Sequence, residues 1–429
     1  MMIVLFITLL AVTAFPARAA STDSRVLPPS RSALFGEQVS MSADGHNMLV
    51  GAPDATVVSN GTSVFSAGAA FLYNSQGKLL HTFTDSAPVT FEQYAISASI
   101  SADGNLVLIG APDAGPSGMA FLYHSSGQLV QAYLPPSAAG ANSGFGSSVA
   151  FLARNDSSPT ITAGGFMTDS QPVILISASL APGTSPGGSS VGGAGQVYMY
   201  DTRGNLLRVY SDPNPSVDEN FGLSLSSMPR GSVAVGAPNA VGVSSTGAAV
   251  DSAGKALLFD PAGSLVQTYR DPSPSFFEQF GWSISLSTTN IGPNFDVFIG
   301  APGASSVGPV GSTVHGGAVF LFSSNGSLFG KIPNRSTDCF EFGNSISISA
   351  DGTSMVTGAP LCVSGTGTVF LFSVKSNAIL NIQDPSPIFG EKFGFSVSMS
   401  ADGSVVMIGA LFRGNAFVFD VSGNLLLVL

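Results

Sequence analysis

Charge is scarce in this chain of 429 residues, and basic charge scarcer still: 26 acids outnumber 15 bases, giving a formal charge of -11. A sequence-independent grip on a phosphate backbone needs clustered Lys and Arg, so the composition argues against nucleic acid as a partner. Histidine is nearly as rare. His46, His81, His124 and His315 stand far apart without metal-ligand spacing, which argues against a zinc or histidine-based centre. Beyond residue 20 no apolar run reaches the ~20 residues that a bilayer span needs, and the terminal run ending at Leu429 is too short for a lipid-anchor signal. Recognisable catalytic motifs are missing as well. Gly183-Thr-Ser-Pro-Gly187 fits the nucleophile-elbow pattern on paper, but Pro186 and the Gly/Ser-rich surroundings deny it the strand-to-helix setting that the pattern requires. Ala253-Gly-Lys255 lacks the first Gly and the following Ser/Thr of a phosphate loop, and no paired carboxylates announce a glycosidase.

What the chain has in quantity is glycine, 51 residues of it, with 44% hydrophobic residues, a mix that suits an all-β protein of many short strands. Residues 1–20 carry an apolar run from Ile3 to Phe15, then Pro16 and Ala17-Arg-Ala-Ala20. This reads as a cleavable secretory signal, with a retained anchor as the alternative. Secretion gives meaning to four N-glycosylation sequons, at Asn60, Asn155, Asn325 and Asn334, each expected on a loop. The two cysteines, Cys339 and Cys362, are then expected to form a disulfide, the alternative being two separate buried thiols.

A repeat fills the rest. An aromatic-Gly pair or close variant opens at Phe35, Tyr94, Phe145, Phe221, Phe280, Phe342 and Phe393. A Gly-Ala-Pro or close variant follows at Gly51, Gly110, Ser177, Gly236, Gly300, Gly358 and Gly409. Between them Ser alternates with apolar residues, as in Ser345-Ile-Ser-Ile-Ser349, and a turn such as Ala102-Asp-Gly104 leads to a second apolar run. A third run rich in aromatics, such as Ala318-Val-Phe-Leu-Phe322, and a fourth, such as Leu265-Val-Gln-Thr-Tyr269, complete each unit. Period-two alternation bounded by turn residues predicts four antiparallel strands per unit, and seven units that cannot bury both faces alone predict a closed repeat fold. The expectation is an all-β, seven-bladed β-propeller of four-stranded antiparallel blades over residues 35–429. Small Ser-bearing strands belong at the axis, their hydroxyls facing a wet channel, and the aromatics of strand three fill the wider space between sheets. A ring that begins on strand one and ends on strand four closes by side-chain packing alone. However, Val26-Leu-Pro-Pro-Ser30 echoes Tyr133-Leu-Pro-Pro-Ser137, which makes the segment 21–34 a candidate clasp on the last blade.

These signatures resemble FG-GAP repeats, the units of the propeller in integrin α-subunits. The resemblance implies an extracellular platform that recognises protein ligands. Integrin-like calcium loops have no counterpart here: Ser42-Ala-Asp-Gly45, Ser101-Ala-Asp-Gly104, Ser349-Ala-Asp-Gly352 and Ser400-Ala-Asp-Gly403 each offer one carboxylate where Ca²⁺ wants six or more oxygens. They read as tight turns, and no cofactor is expected.

Glu92, Glu219, Glu278, Glu341 and Glu391 lie one or two residues ahead of the openings. As an acidic ring at one channel mouth they would suit a cation or basic ligand; the alternative is that each bonds backbone between blades. Asp85, Asp212, Asp271 and Asp384, in Asp-Pro-Ser-Pro-like connectors, are expected to hold turns. The long Gly/Ser-rich links 51–68, 178–195, 236–254 and 300–317 emerge on one face together with those connectors, while the opposite face carries insertions at 153–172 and 288–295. The expected function is secreted, adhesion-type binding of an extracellular protein or glycan through the long-loop face. A secreted hydrolase or lyase with its site at the channel mouth is the alternative, and a structural coat unit a third.

Overall fold

The computed structural model describes residues 25–26, 33–152, 172–228, 231–287, 297–307, 313–314, 316–334, 338–373 and 378–429. The expected signal segment, Asn155, His315 and nearly all of both predicted insertions therefore lie outside the described residues. Seven sheets of four antiparallel strands follow one another in chain order. In blade 1 the strands are Gln38–Met41, Asn47–Ala52, Ala69–Asn74 and Leu79–Phe83, and the other six repeat the meander. Each innermost strand packs beside the innermost strand of the next blade. Phe393–Met399 of blade 7 lies beside Gln38–Met41 of blade 1, so the sheets close into a seven-bladed propeller.

The opening glycine explains why the two sequence signatures travel together. In blade 5 the N–H of Gly281 donates to the carbonyl of Gly300 in its own sheet (3.0 Å). Its carbonyl turns back to accept the Ser224 hydroxyl of blade 4 (2.8 Å) and lies so close over Gly236 that a side chain there would collide with it. This reversal needs the left-handed φ of +92° at Gly281, which glycine adopts without steric cost. Equivalent bonds run from Ser97 to Gly146 (2.7 Å), Ser283 to Gly343 (2.7 Å), Ser345 to Gly394 (3.1 Å) and Ser396 to Gly36 (2.9 Å). Blade 3 departs from the pattern where its sequence does. Ser177 replaces the glycine, and its hydroxyl meets that of Ser147 at 3.0 Å.

The axial serines also do a job that the sequence did not suggest. Half-buried as they are, they bond the neighbouring blade: the N–H groups of Ile100, Leu286 and Met399 donate to the hydroxyls of Ser40, Ser226 and Ser347 across three joints (3.2, 3.1 and 3.0 Å). Hydroxyls replace the ladder that separate sheets lack, while Val39, Met41, Ile284 and Leu286 on the alternate positions are buried.

Closure is likewise not a matter of side-chain packing alone. Besides the bond from Ser396 to Gly36, the Ala401 N–H donates to the Ala43 carbonyl across the joint between blades 7 and 1 (2.8 Å). The series extends on both sides, with Ala350 N–H to Ala401 O (2.8 Å) and Ala43 N–H to Ala102 O (3.0 Å). All four alanines belong to Ser-Ala-Asp-Gly turns. Within each turn the Ser hydroxyl donates to the Asp carboxylate, at 2.6 Å for Ser42 and Asp44, and that bond holds the Asp44 carboxyl below its ordinary pKa. The short strand Arg25–Val26 pairs antiparallel with Val57–Val58 of the first blade, not with the last blade, and residues 27–32 lie outside the described set.

Aromatics fill the space between sheets. Each opening ring packs tilted or edge-on against strand three of its own blade, as Phe280 does on Phe320 (5.0 Å between centroids, 64° between planes). At four successive joints the ring ending strand four packs on strand three of the following blade: Phe83 on Tyr123, Tyr133 on Tyr200, Tyr210 on Phe259 and Tyr269 on Phe322, at 5.1–5.3 Å. Rings of this kind bury more area than any other side chain available to the core.

Candidate ligand-binding face

Four connectors between blades share the spacing Asp-x-x-Pro-x-x-x-Glu: Asp85 to Glu92, Asp212 to Glu219, Asp271 to Glu278 and Asp384 to Glu391. Each is closed by its own two carboxylates. The Asp accepts the N–H two residues ahead, from Ala87, Asn214, Ser273 and Ser386 (2.7–3.0 Å). The Glu accepts the N–H three residues behind, from Val89, Ser216, Ser275 and Ile388 (2.7–3.3 Å). Asp85, Asp212, Asp271 and Asp384 hold turns as the sequence predicted. The four Glu are 0–1% exposed, so they cannot line an open mouth, and the acidic ring expected from them is not formed. Only Glu341 is partly exposed.

Burying two carboxylates in one loop is costly unless cations or protons compensate. Lys255, itself buried, pairs with both Asp212 and Glu219. Arg413 pairs with Asp384 (2.7 Å) and Glu391 (3.2 Å). Lys331 reaches Asp271 (3.1 Å) but leaves Glu278 beside a second carboxylate, and burial together with the Asp271 charge pushes Glu278 up to about 8. Glu219, desolvated but facing Lys255, is raised to about 7. Glu278 therefore holds its proton at neutral pH.

The loops so braced carry apolar side chains outward. Phe91 is 67% exposed, Val217 65%, Phe277 65% and Phe389 82%. Phe91 and Phe277 have left-handed φ of +63° and +55°, which costs a residue with a Cβ of order 1 kcal/mol or more. An exposed aromatic ring on a strained backbone is disfavoured twice over in the free protein.

The long links beside the connectors are ordered as small hairpins: Val57–Ser59 with Thr62–Val64, Gly183–Thr184 with Ser190–Val191, Gly242–Val243 with Ala249–Val250, and Ser306–Val307 with Thr313–Val314. They add Phe65 and Val243, 63% and 64% exposed, to the same face. In blade 6 the corresponding link is tied by the disulfide between Cys339 and Cys362, as the sequence suggested.

At the axis the face carries a group that the sequence reading passed over. Glu37 immediately precedes the innermost strand of blade 1, and burial with the nearby Asp54 charge, opposed by Lys392, raises it to about 7. Lys392 in turn lies 5.8 Å from the ring centre of Phe395 and 5.3 Å from that of Phe412. Among the described residues no group of three or more His, Cys, Asp or Glu is arranged to hold a metal ion. Of the described sequons, Asn60 sits exposed at a hairpin tip and Asn325 in an exposed turn. Asn334 is buried with its amide donating to the Cys339 carbonyl, so the folded chain does not present it. No family model matches the chain, and no curated protein matches it.

Proposed function

We propose that this is a secreted recognition protein of the FG-GAP, integrin α-like type that binds an extracellular protein or glycan through its long-loop face. The observation that carries the reading is the set of exposed apolar residues on the four connectors, Phe91, Val217, Phe277 and Phe389, each displayed by a loop whose carboxylates are sunk into the joint beneath it. A surface that holds rings in water at a conformational cost gains when a partner covers them. Secretion is supported by the leading apolar segment and by the disulfide, which persists in oxidising compartments. The test is a screen of the secreted protein on glycan and extracellular-protein arrays beside the triple variant Phe91→Ser, Phe277→Ser, Phe389→Ser. We expect specific binders for the parent and at least tenfold weaker capture by a variant of unchanged thermal stability. Equal capture by both proteins would move the site elsewhere.

A hydrolase or lyase reading has one observation in its favour, the raised carboxyl of Glu37 near the axis. It would be favoured by turnover of a glycan or ester panel that Glu37→Gln abolishes without altering array binding.

A further inference from the structure

The hairpins differ in one respect that points to a ligand. The first has a third strand: Arg25 pairs with Val58 and Val26 with Val57. Those of blades 3 and 4 are two-stranded, and no strand among the described residues covers the edge matching the one that Arg25–Val26 covers.

The register identifies the open groups. In the first hairpin Ser59 opposes Thr62 across the two-residue turn Asn60-Gly61. Ladder alternation then directs the N–H and C=O of Val58 away from its partner strand, toward Arg25. In blade 4 the Ser244 N–H donates to the Ala248 carbonyl (2.8 Å), and Val243 opposes Ala249, so the same alternation turns the Val243 N–H and C=O outward. Blade 3 repeats it: the Ser185 N–H donates to Ser189 (2.9 Å), and Thr184 opposes Ser190. Exposure follows the occupancy, with Val58 half-buried and Thr184 and Val243 exposed. Around the blade 4 edge stand Val217 and Val241, 65% and 40% exposed. The backbone of Val241 is already engaged, its N–H by Ser216 (3.2 Å) and its C=O by Arg270 (3.4 Å). The acceptor edge is therefore short, with apolar side chains beside it.

We propose that the hairpin edges at Thr184 and Val243 are strand-acceptor sites that take an extended segment of a partner protein, paired antiparallel as Arg25–Val26 pairs with Val57–Val58. Main-chain bonds supply the pairing, and the exposed valines select alternate apolar side chains in the incoming segment. The inference rests on the long-loop face being the recognition surface, and it names the class of ligand.

A synthetic peptide with the sequence of residues 21–30 serves as the probe, because its central dipeptide is the strand that, among the described residues, sits on such an edge. It is titrated to millimolar concentration against ¹⁵N-labelled protein comprising residues 21–429. Saturable shifts of the Thr184 and Val243 amides are expected, and the Val58 amide is expected to respond only after residues 21–30 are deleted. Thr184→Pro with Val243→Pro removes the outward donors, and Thr184→Lys with Val243→Lys blocks the edges without touching the backbone; either pair should reduce the shifts at least fivefold. A peptide that restores Val58 in the shortened chain yet leaves Thr184 and Val243 unmoved in the longer one overturns the proposal, as do undiminished shifts in the Lys variant. The Phe91, Phe277 and Phe389 triple variant separates the two readings. It should keep the peptide response even where it loses array binding.

Discussion

Gly409→Ala is the sharpest probe of how this ring is joined. Gly409 lies on the second strand of the last blade and faces the carbonyl of Gly36 in the first. A Cβ at 409 would stand 2.9 Å from the Gly36 carbonyl carbon and 2.5 Å from the Ser396 hydroxyl oxygen, with the Gly36 oxygen nearer still. The Gly36 atoms are backbone, so no rotamer change relieves the clash with them. The innermost strand of blade 1 must retreat, which breaks the 2.9 Å bond from Ser396. Overpacking of this kind costs about 1–3 kcal/mol and the lost hydrogen bond about 1 more, so the variant should lose about 2–4 kcal/mol. Gly358→Ala makes the same insult between blades 6 and 7, its Cβ 2.9 Å from the Gly394 carbonyl carbon and 2.7 Å from the Ser345 hydroxyl. Gly330→Ala, where nothing lies within 4 Å, controls for backbone entropy. Urea unfolding at 25 °C should place Gly409→Ala beside Gly358→Ala and well below Gly330→Ala. If Gly409→Ala instead tracked Gly330→Ala while Gly358→Ala collapsed, the first and last blades would not be joined as described.

The buried glutamates set a pH dependence of unusual sign. Glu278 keeps its proton up to about 8 and Glu219 up to about 7, whereas the unfolded chain releases both near 4.5. Their contribution is therefore full below that value and is lost as pH rises through 7 and 8, by up to about 1.4 kcal/mol per pH unit for each group. The urea midpoint should fall between pH 5 and 8.5 and flatten in Glu278→Gln; a midpoint that rises over this range contradicts the assignment. Lys255→Met strands Asp212 and Glu219 without their cation and should cost about 3–5 kcal/mol, most of it regained when Asp212→Asn and Glu219→Gln are added. An equally unstable triple variant would point to packing rather than charge. Opening the bond between Cys339 and Cys362, which spans 23 residues, should cost about 3 kcal/mol, seen as a lower unfolding midpoint under reducing conditions that Cys339→Ser does not lower further.

The blade pattern was legible because both signatures and the Ser alternation serve one local geometry repeated seven times. Ring closure was legible too, in a place the sequence reading left unused. Ser-Ala-Asp-Gly occurs in blades 1, 2, 6 and 7, which are successive neighbours only if the ends meet. The glutamates misled because position ahead of an aromatic ring says nothing about depth. A nearer signal lay in Ser216-x-x-Glu219 and Ser275-x-x-Glu278, the spacing by which a Glu reaches back to a backbone N–H. The hairpins within the long links were hidden by their Gly/Ser composition, since two-residue strands are too short to show alternation. Glu37 carries no motif at all, and only the fold brings Asp54 and Lys392 to it.

The backbone chain through Ala350, Ala401, Ala43 and Ala102 crosses the joint between the ends of the polypeptide without any change in its chemistry. The joint between the first and last blades is consequently built like those on either side of it. Splicing Leu429 to Ala33 and opening the ring at another connector would keep these bonds and give up the pairing of Arg25–Val26 with the first hairpin.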